Sequence, residues 1–66
     1  MRSQVSFTLF DVVTLKVDIP EEKLLRGMQG VVIDIYETPE KAYEVEFCDD
    51  EGKTISQLAL LPDQVG

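Results

Sequence analysis

Apolar and polar residues alternate along most of this chain with a period of two. In Asp11-Val12-Val13-Thr14-Leu15-Lys16-Val17-Asp18, Val13, Leu15 and Val17 share one face, and Val12, Thr14 and Lys16 share the other. Strand side chains point alternately to opposite faces, so this segment predicts a half-buried strand with Val13, Leu15 and Val17 inward. The pattern then breaks. Ile19-Pro20-Glu21-Glu22-Lys23-Leu24-Leu25 is too short for a stable helix and predicts a loop with at most one helical turn. Pro20 suits a first helical position, where Glu21 and Glu22 complement the helix dipole. Ile19, Leu24, Leu25 and Met28 are expected to plug one end of the core; the alternative is that Leu24, Leu25 and Met28 form an exposed apolar contact patch rimmed by Glu21 and Glu22, and the same two readings apply to Phe7, Leu9 and Phe10. Arg26-Gly27-Met28-Gln29-Gly30 predicts a turn, its glycines supplying positive φ or close backbone approach.

The clearest hairpin follows. Gly30-Val31-Val32-Ile33-Asp34-Ile35-Tyr36-Glu37 is rich in β-branched residues, and Ala42-Tyr43-Glu44-Val45-Glu46-Phe47-Cys48-Asp49 alternates strictly. Thr38-Pro39-Glu40-Lys41 is the turn between them. Val31, Ile33 and Ile35 are expected inward, with Tyr43, Val45 and Phe47. Directly opposed residues share a face, so Ile35 pairs with Tyr43 or with Val45, and the shorter loop favours Tyr43. Asp49-Asp50-Glu51-Gly52-Lys53 predicts a second hairpin turn. In Thr54-Ile55-Ser56-Gln57-Leu58-Ala59-Leu60, Leu58 and Leu60 place even positions inward while Ile55 argues for odd ones. A bulge near Ser56-Gln57 reconciles them. Leu61-Pro62-Asp63-Gln64-Val65 is a closing turn, since Pro62 excludes a central strand. Gln4 to Leu9 also alternates, as a short extra strand or an arm.

Four or five short strands with tight turns suggest an all-β fold, a small antiparallel barrel, whose closure protects strand edges. The division expected is an N-terminal arm or short strand over residues 1–8 and one domain over residues 9–66. With 66 residues the chain holds one domain, and its hydrophobic fraction of 44% against 29% charged residues is an ordinary globular balance. No apolar run approaches a membrane span, and the N-terminus lacks the apolar stretch of a signal peptide. A lone Cys48 fits a reducing compartment, so a cytoplasmic location is expected.

Composition narrows the chemistry. There is no histidine, hence no imidazole base, no Ser-His pair and no ordinary zinc site. No enzymatic activity and no cofactor are expected. Acidic side chains number 13 against 6 basic ones, giving a net charge of −7, and Arg2, Lys16, Lys23, Arg26, Lys41 and Lys53 are all separated. Nucleic acid and anionic membranes, which both recruit basic clusters, are disfavoured. A basic protein partner is favoured, with self-association as the other expectation.

Residue resemblance adds to this. Leu9-Phe10-Asp11-Val12-Val13, Pro20, Arg26 to Val32, Tyr43-Glu44-Val45-Glu46-Phe47 and Leu60-Leu61-Pro62-Asp63-Gln64-Val65 together resemble a family of small bacterial proteins, many of them cyanobacterial, catalogued as domain-of-unknown-function family 4926. The resemblance runs from about Leu9 to Val65. It implies an SH3-like barrel of four to five strands with a short 3-10 turn near the C-terminus. It also implies, by association with neighbouring toxin genes, an antitoxin or immunity role. It supplies no catalytic residues. Gly30-Val31-Val32-Ile33 is similar, more weakly, to the glycine and strand of KOW-type RNA-binding barrels, without their basic residues. An accessory subunit of a larger complex is a further alternative.

The candidate binding residues are Asp34, Tyr36, Glu44, Glu46, Asp50 and Glu51. In either register two carboxylates of the main hairpin face each other across the strands, a repulsion of a few tenths to about 1 kcal/mol. A small domain carrying that conflict is expected to present it to Lys or Arg groups of a partner. The alternative is a solvated face, or one neutralised by Lys16 or Lys53. Asp49-Asp50-Glu51 cannot converge on one calcium ion, which needs six to eight oxygens, so no metal is expected. Cys48 counts onto the outward face, and its acidic neighbours disfavour a thiolate. Packing under a loop is the reading preferred for it. Phe7 is a candidate anchor on the arm.

Overall fold

The computed structural model describes residues 6–66. The expected extra strand at Gln4 to Leu9 therefore falls partly outside the described residues, and Ser6 to Thr8 form no strand. The fold is all-β. Strand β1 (Val12–Thr14) leads through a 3-10 turn at Pro20–Glu22 to β2 (Gln29–Tyr36). Strands β3 (Ala42–Cys48) and β4 (Thr54–Leu60) follow, and then a second 3-10 turn at Pro62–Gln64. The four strands form one antiparallel sheet in the order β1-β2-β3-β4. The chain end then returns to β1. Val65 bridges Leu15, and the N–H groups of Thr14 and Lys16 donate to the carbonyls of Gly66 and Gln64, each at 2.8 Å. Where a fifth strand was allowed for, this short segment covers the outer edge of β1.

The core is Val13, Leu15, Leu24, Val32, Tyr43, Val45, Phe47, Leu60 and Val65. β3 supplies Tyr43, Val45 and Phe47 in the alternation read from its sequence. β2 differs from its reading. Ile35 lies opposite Tyr43 and Asp34 opposite Glu44, as expected, but the register shifts between Val32 and Asp34. Ile33 is the extra residue of a β-bulge, and a one-residue slip exchanges the faces. Before the bulge Val32 is therefore buried, while Val31 stands opposite Glu46 on the outer side. Val31 and Ile33 are not the inward residues; Val32 takes that place. The gain is that Val32 and Ile35, three positions apart, both reach the core. A second register shift leaves Ile55 unpaired, next to the expected bulge position, and puts Ser56, Leu58 and Leu60 on the core side.

Other expectations are corrected by burial. Val17 is exposed, because the pairing of β1 has ended before it. Leu24 is fully buried and Ile19 and Met28 pack on the core, but Leu25 is exposed, turned out by the bridge between Ile19 and Leu24. Pro20 occupies the first 3-10 position as expected. Glu22 of that turn accepts a hydrogen bond of 2.5 Å from the Ser56 hydroxyl, which fastens the loop to β4. Phe7 is no free anchor. Its ring packs edge-on against Tyr43 at 5.3 Å between centroids, and its N–H donates to the Tyr43 hydroxyl at 3.3 Å. That bond gives the phenol oxygen of a fully buried tyrosine a donor. Cys48 is exposed, not packed under a loop, because β3 ends there with its outward phase intact.

Gly30 is the tightest point of the sheet. It is buried, and a Cβ built on it would lie 2.6 Å from Val45 Cγ1, 2.9 Å from the Glu46 carbonyl and 2.9 Å from Phe47 Cδ2. Gly30→Ala is expected to lower stability by about 1–3 kcal/mol through overpacking. Urea unfolding would show it as a lower midpoint at constant slope. A midpoint equal to that of the native chain would mean that β2 and β3 are not in this close approach.

Candidate functional site

The side of the sheet turned away from the core is built on β3. Because Tyr43, Val45 and Phe47 point in, Glu44 and Glu46 point out. The bulge at Ile33 sets their neighbours. Asp34 stands opposite Glu44 and Tyr36 opposite Ala42, whereas Val31 stands opposite Glu46. On the other flank Gln57 stands opposite Glu46 and Ala59 opposite Glu44. Four of the six expected residues, Asp34, Tyr36, Glu44 and Glu46, therefore share one outer face.

Neutral donors hold the two glutamates in place. Glu44 accepts from the Tyr36 hydroxyl at 3.2 Å through one oxygen and from Gln57 Nε2 at 3.1 Å through the other. Glu46 accepts from the Thr54 hydroxyl at 2.6 Å. Asp34 turns one oxygen back to the Ile35 N–H at 2.8 Å. Among the described residues no cation joins them. Among the described residues the ion pairs are Lys41–Glu37 at 3.6 Å and Lys53–Glu51 at 3.9 Å, both exposed and so of little energetic weight. Lys53 thus turns to the hairpin tip, and Lys16 lays its stem beside Gly66, so neither neutralises Glu44 or Glu46 by an ion pair.

Asp50 and Glu51 lie elsewhere. The β3–β4 turn is organised by Asp49, whose Oδ1 accepts from the N–H groups of Glu51 at 2.8 Å and Lys53 at 2.9 Å, with Gly52 at a positive φ of 82°. Asp50 and Glu51 project from this tip, six or more residues along the chain from Glu44, which is about 20 Å of extended strand. With Met28, Cys48, Asp49 and Ile55 they line an open depression of about 420 Å³. Among the described residues no group of three His, Cys, Asp or Glu side chains is arranged to hold a metal ion.

The outer face also has an apolar flank, where Val12 keeps its expected outward place and Phe10 takes the exposed one of its two expected states. Val12, opposite Val31, is 62% exposed, and Phe10 just before it is 73% exposed. Phe10 has a positive φ of 71°, and its N–H donates to the Val32 carbonyl at 2.6 Å. Sequence reading does not single out Thr54 and Gln57. Their signal was available, since a fixed β3–β4 register places both beside the glutamates.

The family model described as a domain of unknown function, DUF4926, matches residues 9–66. The chain belongs to that family. No curated protein and no solved structure matches it. The part matched by DUF4926 begins just before Phe10 and takes in all four strands, so the whole outer face lies within the family domain. Among the described residues of this DUF4926 chain, no helix is long and apolar enough to cross a membrane.

The face has a spectroscopic consequence. Packing on the sheet, the Glu44 charge, the hydrogen bond to Glu44 and the Asp34 charge together raise the Tyr36 phenol above its ordinary value of 10.0. A raised value favours the neutral phenol in the folded chain. The associated stability is fully present below pH 10 and is lost as pH rises through the raised value. Absorbance titration in a Tyr43→Phe background should show Tyr36 ionising above the ordinary value, and Glu44→Gln should bring it down. An unshifted phenol, or one indifferent to Glu44→Gln, would contradict the geometry.

Proposed function

We propose that this DUF4926 chain is a non-catalytic binding module whose outer sheet face receives a basic surface of another protein. The observation that carries the reading is the state of Glu44 and Glu46. Both are positioned by neutral donors and neither is neutralised by an ion pair with a lysine or arginine among the described residues. Two carboxylates held opposite or beside one another cost stability, and the charge they lack is what a partner's Lys or Arg would bring. Tyr36 adds an aromatic edge of a type enriched in binding hot spots. The tip residues Asp50 and Glu51 extend the negative potential and steer approach. We read the return of the chain end to β1, after the second 3-10 turn, as the SH3-like arrangement implied by the resemblance. The more specific form is a bacterial cytoplasmic antitoxin or immunity protein that covers the basic site of a nuclease; it is supported by the family association alone. A KOW-like RNA partner is disfavoured, since the same face repels phosphate.

Affinity capture with the tagged chain, at low and at high salt, tests this. The native chain is expected to retain a basic protein that is released as ionic strength rises from about 0.05 to 0.5 M, where screening shortens to a few ångströms. The double variant Glu44→Lys/Glu46→Lys, checked for folding by circular dichroism, should retain at least tenfold less. Equal retention by the variant would sink the reading, and so would a catch made only of RNA and ribosomal protein that nuclease abolishes.

A further inference from the structure

β4 is the edge of the sheet that nothing covers among the described residues. The outer edge of β1 is taken by the chain end, whereas no backbone hydrogen bond among the described residues reaches the outer side of β4. Its sequence is the opposite of a protected edge. In a chain with 29% charged residues, Thr54 to Pro62 contains none, the longest uncharged stretch present. Soluble proteins ordinarily guard a free edge with Lys, proline or a bulge. Here the one bulge lies at the start of the strand, at Ile55, and Ser56 to Leu60 run on in regular register opposite β3.

We propose that the outer edge of β4 pairs antiparallel with β4 of a second copy, making a symmetric dimer with one continuous eight-stranded sheet. Charge identifies the occupant. Two copies that each carry −7 repel over most of their surface, and this neutral strand is where that repulsion is least. The stretch is bounded by Lys53 and Asp63, so antiparallel pairing sets Lys53 of one copy near Asp63 of its mate, while the tip beyond Lys53 stays acidic with Asp49, Asp50 and Glu51. Core-side residues must meet core-side residues across the seam. Pairing centred on Leu58 does this: Ser56 meets Leu60 of the second copy, and Gln57 meets its Ala59. The nearest acidic strands are then β3 and its copy, three spacings of about 4.8 Å apart, roughly 14 Å, beyond the screening length of about 8 Å at physiological ionic strength. The dimer would set both Glu44–Glu46 faces on one side of the sheet.

Sedimentation equilibrium of the untagged chain over a wide concentration range reads the outcome. The expected result is a reversible monomer–dimer equilibrium that strengthens with salt, opposite in sign to capture of a basic partner, so the two proposals fail separately. Ala59→Lys sets lysines of the two copies diagonally across the seam, about 8 Å apart, and leaves Gln57, the donor to Glu44, untouched. This lysine variant should weaken the dimer at least tenfold while circular dichroism shows the monomer's fold kept. A chain monomeric at every concentration overturns the proposal. So does a dimer that the lysine variant leaves unchanged, or a monomer whose β4 edge amides already resist hydrogen exchange because its own chain covers them.

Discussion

The register change at Ile33 is the constraint on which the rest of the molecule depends. β3 alternates without interruption, and the two strands beside it each carry one extra residue, Ile33 on β2 and Ile55 on β4. A bulge bends its strand and increases the local twist. Placed on both sides of β3, the two bulges curl the sheet around Tyr43, Val45 and Phe47, which are fully buried although each belongs to one layer of strands. The remaining openings are closed by Leu24 from the loop, Val65 from the chain end and Phe7 against the Tyr43 ring. Gly30 belongs to the same arrangement. It faces inward because the bulge has exchanged the faces, and its missing side chain is what lets Val45 and Phe47 approach.

The same bulge decides what the outer face looks like. Beyond it Asp34 meets Glu44; before it Val31 meets Glu46 and Val12 meets Val31. The face is therefore divided into a carboxylate half and an apolar half, the latter extended by Phe10. Small domains have little stability to spare, since a chain of this length buries only about 60% of its unfolded surface. Keeping like charges opposed and a phenylalanine in solvent under that limit is the physical reason for reading the face as a contact surface.

Much of this was legible in the residues, and the misses share a cause. β3 was readable because Tyr-Glu-Val-Glu-Phe alternates without ambiguity. The loop around Pro20 was readable from proline and its acids. β2 was misread because Val31, Val32 and Ile33 are all apolar, so the run carries no phase and cannot show where a bulge falls. In β4 the conflict between Ile55 and Leu58 did carry a phase break, and the bulge lies beside the place it indicated. Val17 differs because periodicity does not say where pairing stops, and Leu25 because a loop carries no period; for Cys48 the strand count gave the outward face, and only the loop packing preferred for it does not hold. Of the candidate site, the four hairpin residues followed from the pairing of Ile35 with Tyr43. Asp50 and Glu51 were grouped with them by charge alone, and their distance along the sheet is a matter of topology.

The central claim is that the free protein carries an uncompensated repulsion between Asp34 and Glu44. A double-mutant cycle with Asp34→Asn and Glu44→Gln, read by urea unfolding at low salt, measures it most directly. The account predicts that the two carboxylates are coupled unfavourably by a few tenths to about 1 kcal/mol, and that the coupling shrinks as salt is raised. A coupling of zero or of favourable sign would show that the face is already compensated within the chain, and the case for a cationic partner would lose its basis.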